Sequence, residues 1–272
     1  MSGILTAAEY ATLMPGSTLA SDVLASYLMA AQAITEQLTG LVFGCEITSV
    51  TSMASNQYKL FTGYPLGDPG DKVRLIGNGV ASTAFTIVDS SQLWIVVESS
   101  VSINPTKALP IVEYIGQPNS GYVYCHPRPL FAVESVKTRT SPDQLWKSSE
   151  VTTLADTTYE VFTQTNGIKA GIFIKSSSLP RQAETSPWLM KSYPTTPRDS
   201  IRVEYVAGFY AAVPADLKTA QVELVAAIQQ SAARKGVFAS ESYDYYSYTR
   251  LTLEQTAAIP SSALATFRRY AR

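Results

Sequence analysis

The chain has 272 residues, enough for one large domain or two modest ones around a sizeable buried core. Lys and Arg number 21 against 22 Asp and Glu, and charged residues are only 16% of the whole, which excludes a surface that grips nucleic acid by displacing counterions. Low charge with 16 tyrosines suits a protein that covers much of its surface with partners, because interfaces are poor in charge and rich in aromatics. Two cysteines make no dense disulfide framework, so a reducing place of synthesis is expected. No basic leader opens the chain and no apolar run approaches the roughly 20 residues that span a bilayer, so the expectation is a soluble, unprocessed protein with no membrane contact.

Thr6 followed by Glu9 is a capping box, which predicts a short helix from Ala7 to Leu13, stopped by Pro15-Gly16. A second helix, from about Ser21, places Leu24, Tyr27, Leu28, Ala31, Ile34 and Leu38 on one stripe and ends before Gly40. From residue 45 to about 117 the pattern changes. Residues 72–76, 80–88, 93–98 and 109–115 read as strands, rich in β-branched or aromatic residues, with Gly77-Asn78-Gly79 and Asp89-Ser90-Ser91 as hairpin loops. Asn166-Gly167 lies between two alternating segments, 159–162 and 168–174, and is the strongest hairpin signal in the chain. The proline-rich run 180–197 reads as a surface loop.

It delivers the chain to a strand, a sharp turn and one long helix. Ile201, Val203 and Tyr205 alternate with Arg202 and Glu204, Ala207-Gly208 ends the strand, and Pro214 is expected as the first helical residue. Leu217, Ala220, Leu224, Ile228 and Ala232 then fall at helical spacing, with Val225 widening the stripe and Lys218, Gln221, Gln229 and Lys235 off it. Gly236 is a natural residue to close this helix. After Tyr243, Tyr245, Tyr246 and Tyr248, Pro260-Ser261 opens a last short helix with Leu264, Phe267 and Tyr270 on one face.

Catalytic and metal chemistry finds little support. His126 is the single histidine, too few for a zinc helix or a two-histidine face. Cys45, Cys125 and His126 read as buried thiols with one neighbouring imidazole, and a Cys-His nucleophile requires the two adjacent residues 125 and 126 to point the same way. Gly77-Asn78-Gly79 lacks the remainder of a phosphate loop, and Asp68 with Asp71 reads as a pair of solvated turn carboxylates. The chain is therefore expected to have no catalytic residues, no metal and no cofactor. The four tyrosines from Tyr243 to Tyr248 lack interleaved basic residues, so they read either as a partner or intersubunit contact or as a lightly packed loop.

Several of these segments, in this order, resemble the head-tail connector (adaptor, head-completion) proteins of tailed bacteriophages. The likeness lies in Val203-Glu204-Tyr205-Val206-Ala207-Gly208-Phe209-Tyr210 with Val213-Pro214-Ala215-Asp216-Leu217-Lys218, in the helix ending Leu38-Thr39-Gly40, in Arg128-Pro129 and the strand to Val136, and in the Ser240-Glu241-Ser242 turn before a proline-opened last helix. It covers residues 4–42 and about 120–272. Residues 45–117 have no counterpart in that pattern and look like an insertion.

The resemblance implies an α+β fold: a helical-bundle core of connector type with β-hairpin elements and an inserted small β subdomain. Its parts are expected to be N-terminal helices over 1–43, the β-rich insertion over 44–118, core strands and the long helix over 119–256, and a portal-docking arm over 257–272. The implied function is structural: a dodecameric ring in the virion neck, made in the host cytoplasm, that joins the portal protein to the tail or tail-nozzle proteins while DNA passes without sequence-specific binding. Leu264, Phe267, Arg268, Arg269, Tyr270 and Arg272 are the expected portal contacts, since Leu264 and Phe267 are too few to hold a short helix alone and the arginines suit an acidic groove. The alternative is a β-rich tail or baseplate binding module anchored by the helices.

Overall fold

A computed structural model of the chain describes residues 4–16, 19–53, 56–63, 66–78, 84–91, 93–140, 145–146, 151–175, 199–209, 213–235 and 259–271. These residues form two compact units, one of residues 1–109 and 209–272, the other of 110–208.

Among the described residues the first unit gathers four helices. In α1 (Ala7–Leu13) both halves of the capping box form: the Glu9 N–H donates to Thr6 Oγ1, and the Glu9 carboxylate accepts from the Thr6 N–H at 2.9 Å. Helix α2 (Ser21–Thr39) closes on Gly40 at φ 66°, where a side chain is disfavoured. Leu24, Leu28 and Ala31 are buried as its stripe predicts, while Tyr27, Ile34 and Leu38 are only half-buried. The long helix α3 runs Ala215–Lys235, one residue later than expected. Pro214 sits just outside it, and its carbonyl accepts the first helical bond, from the Lys218 N–H at 3.1 Å.

Leu217, Ala220, Leu224 and Val225 of α3 are buried and α2 packs along it, as the two stripes require. Gln221, placed off the stripe by its polarity, is fully buried in this contact. The Thr35 hydroxyl donates to Gln221 Oε1 at 2.8 Å and Gln221 Nε2 donates to the Leu28 carbonyl at 3.3 Å, so the amide enters the core with both ends satisfied. The last helix, α4 (Ser261–Tyr270), lies against both α3 and α2.

The same unit carries strands β1 (Cys45–Glu46), β2 (Ser49–Ser52), β3 (Gln57–Phe61), β4 (Lys72–Asn78), β5 (Ala84–Ser90) and β6 (Trp94–Glu98), and the first half of β7 (Asn104–Gly116). They run in the order β4, β5, β6, β3, β2, with β1 pairing on β7 at Cys45 and Ala108. Alternate side chains enclose a core of Leu60, Val73, Leu75, Phe85, Ile87 and Ile95, with Val97, Ile103 and Ala108. Gly77 is no turn residue. It lies inside β4, and a Cβ there would come within 2.8 Å of the Asn104 carbonyl of β7.

In the second unit, β13 (Ile201–Ala207) lies between the second half of β7 and β9 (Leu130–Thr138), antiparallel to both, with β10 (Thr152–Thr153) beyond β9. Paired on both edges, β13 buries Ile201, Val203, Tyr205, Val206 and Ala207. A separate sheet orders β11 (Tyr159–Thr163), β12 (Lys169–Ile174) and β8 (Tyr122–Tyr124), its hairpin turning at Asn166-Gly167 as expected.

The expected helical-bundle core is thus incorrect. The chain is mostly antiparallel β, with a ten-stranded sheet and 40% strand against 28% helix. The cause is the reading of β9 and β13 as accessories to a helix. Both are sheet interior, and the pairing Ile201 to Gly116 and Ile201 to Thr138 joins residues too far apart in sequence for local periodicity to reveal.

Two substitutions test this packing. Leu224→Ala should cost about 2–5 kcal/mol, because Leu224 is 2% exposed, and Ile228→Ala clearly less, because Ile228 is half-buried; urea melts of both variants measure the difference. Gly171→Ala in β12 should destabilise more than an ordinary strand Gly→Ala change, since the added Cβ lies 2.0 Å from the Val123 carbonyl of β8; a melting temperature within error of the parent contradicts the strand register.

Candidate functional site

Helix α4 holds most of the expected docking residues, and its own subunit already engages one face of it. Ala263 and Phe267 are fully buried and Tyr270 is 6% exposed, so the apolar stripe points into α3 and α2. Leu264 is half-buried, and Arg268 and Arg269 are exposed. Arg272 lies outside the described residues.

The polar ends of α4 are pinned to α3. The Tyr270 hydroxyl donates to the Asp216 carboxylate, 2.9 and 3.0 Å from its two oxygens, and Arg269 forms an ion pair with the same group. Seven residues along α3, Glu223 accepts from the Ser262 hydroxyl. The two helices therefore run antiparallel, with the C-terminal turn of α4 at the N-terminus of α3. That placement is favourable twice over: Asp216 complements the positive end of the α3 dipole, and Arg268 and Arg269 the negative end of α4. Burial and then the Asp216 hydrogen bond push the Tyr270 hydroxyl up to about 12, so it stays a donor across the physiological range.

The opposite side of α3's first turn is pinned to α1. Lys218 pairs with Glu9, the residue that also closes the α1 capping box. Burial alone would raise the Glu9 carboxyl, but its bonds from Lys218 and Thr6 outweigh that and hold it below the usual range. Asp216 and Lys218 thus fasten two helices at one end of α3.

Tyr243, Tyr245, Tyr246 and Tyr248, the other expected contact, lie outside the described residues. Sequence reasoning missed a different aromatic cluster, on one face of the β8, β11, β12 sheet. Tyr124 and Phe162 meet with ring centroids 5.1 Å apart, Tyr122 and Phe162 at 5.3 Å, and Tyr122 and Phe173 at 4.8 Å. Phe162 and Tyr124 stand on the two outer strands. They touch because both are opposite Gly171 on the middle strand, whose missing side chain leaves the gap they fill. Tyr122 and Tyr124 remain 41% and 55% exposed, so among the described residues this is an exposed aromatic surface. The legible signal was Tyr122 and Tyr124 at strand spacing.

Burial raises both thiols, Cys125 to about 12 and Cys45 further, so neither is a nucleophile near neutral pH. The Asp71 carboxylate accepts from the Asp68 N–H at 2.9 Å, the local bond of a turn. Among the described residues no cluster of three or more His, Cys, Asp or Glu can hold a metal ion, and no helix is long and apolar enough to cross a membrane.

No family model matches the chain, and no curated protein matches it either.

The seating of α4 makes a sharp comparison between two of its residues. Phe267→Ala should lower stability by about 3–5 kcal/mol, as for a fully buried aromatic, whereas Arg268→Ala on the exposed face should change it by less than about 0.5 kcal/mol. Chemical denaturation of the two variants checks this, and equal, small effects would mean that α4 is not part of the subunit core.

Proposed function

We propose that this chain is a head-tail connector of a tailed bacteriophage: a structural subunit of a closed ring in the virion neck, below the portal protein and above the tail or tail-nozzle proteins. The observation that carries the reading is the packing of α2 against α3 and α4. Of the segments with connector-like wording, the helices from the two ends of the chain pack together in the fold, around the buried hydrogen bond of Thr35 with Gln221. Strands β3 to β6 pack one core together with Ile103 and Ala108.

In this role mechanism is geometry. Copies of a modest contact repeated around a closed ring add by multivalency, so no single interface has to be strong. A nearly neutral chain suits a lumen through which DNA slides without being held. With Phe267 and Tyr270 turned inward, contact with portal falls to the outer face of α4, where Arg268 is free to meet an acidic groove.

The mostly antiparallel architecture and the exposed aromatic face of β8, β11 and β12 favour a second reading, a β-rich tail or baseplate module. Light scattering on the purified chain, alone and mixed with the portal protein of the same phage, separates the two. A closed ring of about twelve copies, or a stable portal complex, supports the connector. A trimer indifferent to portal supports the tail module, and a monomer in both samples overturns both.

A further inference from the structure

We infer that the outer edge of β2 is a strand-pairing interface, filled by the β2 edge of a second copy of this chain in antiparallel register about Thr51. The inference goes beyond the connector reading and does not need it, because a two-fold contact closes on two copies whatever holds a ring together.

The ladder bonds fix which backbone groups this edge presents. β2 pairs with β3 at Thr51 and Lys59, and the Met53 N–H donates to the Gln57 carbonyl at 2.7 Å, so Ser49, Thr51 and Met53 direct their N–H and carbonyl groups to β3. The next ladder has the matching alternation: the Ser99 N–H donates to the Asn56 carbonyl, so Tyr58 and Leu60 bond to β6 and leave residues 57, 59 and 61 for β2. Val50 and Ser52 therefore aim their backbone donors and acceptors away from the sheet. Among the described residues no strand pairs there.

Sheets ordinarily guard such an edge with charged side chains, Lys above all, or with proline. The edge strand β11 of the second unit has a guard of this kind in Glu160, 68% exposed. From Ile47 to Met53 the chain has no charge and no proline. Lys59, opposite Thr51, leans the other way, its ammonium 3.8 Å from the centre of the Trp94 ring on β6.

An uncharged edge holds no code for a foreign strand, whereas its own sequence satisfies it group for group. About a two-fold axis at Thr51, Val50 faces Ser52 of the second copy and Ser52 faces its Val50, so every outward donor and acceptor of these residues is bonded. Thr51 meets its own equivalent, a favourable cross-strand pair. Val50, packed against the core around Leu60 and only partly buried, is covered by the added strand.

Cysteine cross-linking of the full-length chain tests the register, with the native thiols silent because Cys45 and Cys125 are buried. Thr51 lies on the axis, where the Cα atoms of a non-hydrogen-bonded antiparallel pair are about 4.5 Å apart, within reach of a disulfide. Ser49, also exposed and on the same face, stands four residues from its equivalent, about 13 Å away. Under oxidised glutathione Thr51→Cys should give about tenfold more disulfide-linked two-chain product than Ser49→Cys. Adding Ser52→Pro to Thr51→Cys should abolish that product and leave the circular dichroism unchanged, because the N–H at 52 takes no part in the ladder with β3. Equal yields from the two cysteine variants overturn the inference, since collision and not register then sets them, and that comparison holds even where the proline variant fails to fold. A product that survives Ser52→Pro in a folded chain overturns it as well, and so does no product from Thr51→Cys, which leaves the edge to a strand of another protein. Each of these outcomes leaves the light-scattering test of the ring, read on the unsubstituted chain, untouched.

Discussion

Helix α3 is the element on which the other described helices of its unit depend, and it holds them by more than one kind of force. Apolar burial of Leu217, Ala220, Leu224 and Val225 fixes its inward face. The buried Gln221 then fixes α2 in register, since sliding either helix by one turn would strand an amide and a hydroxyl in the core at about 1–3 kcal/mol per unsatisfied group. Ion pairs at its first turn fasten α1 through Lys218 and α4 through Asp216. These last are half-exposed, so they contribute little to stability and chiefly select position.

That division of labour explains which features of the fold were legible in the sequence. Local chemistry was: the Thr6 and Glu9 box, Gly40 as a helix end, and the Asn166-Gly167 hairpin all form where residue type demands a particular backbone or capping bond. Propensity misjudged polar segments that tertiary packing rescues. Residues 49–52, Ser-Val-Thr-Ser, have no apolar alternation and still form β2, because β3 offers the edge they pair with. Gln221 looked solvent-facing for the same reason, its partner Thr35 being 186 residues away.

The candidate site divides along the same line. Helical spacing did place Leu264, Phe267 and Tyr270 on one face of the last helix, but periodicity identifies a face that must be covered without saying what covers it. Asp216 and Glu223, seven apart on α3, supply the answer, and nothing in their own segment marks them as contacts of that helix. The aromatic surface of β8, β11 and β12 was harder to foresee. It depends on Gly171 standing opposite both Phe162 and Tyr124, a three-strand coincidence that no single segment encodes.

Strand β7 shows how one proline can divide a sheet. Before Pro110 its described register is with β1, at Lys107 and Ala108; after it the partner is β13, beginning at Ile111 opposite Val206. Pro110 has no N–H to donate, so the ladder lacks one bond on the edge that this N–H would have faced. Placing the proline where the partner changes makes the interruption coincide with a break that the topology already requires. The boundary between the two compact units falls at the same point, between Leu109 and Pro110. Residues 109–115 read as a strand in spite of this proline, and the residue marks the point on β7 at which the described antiparallel partner passes from β1 to β13.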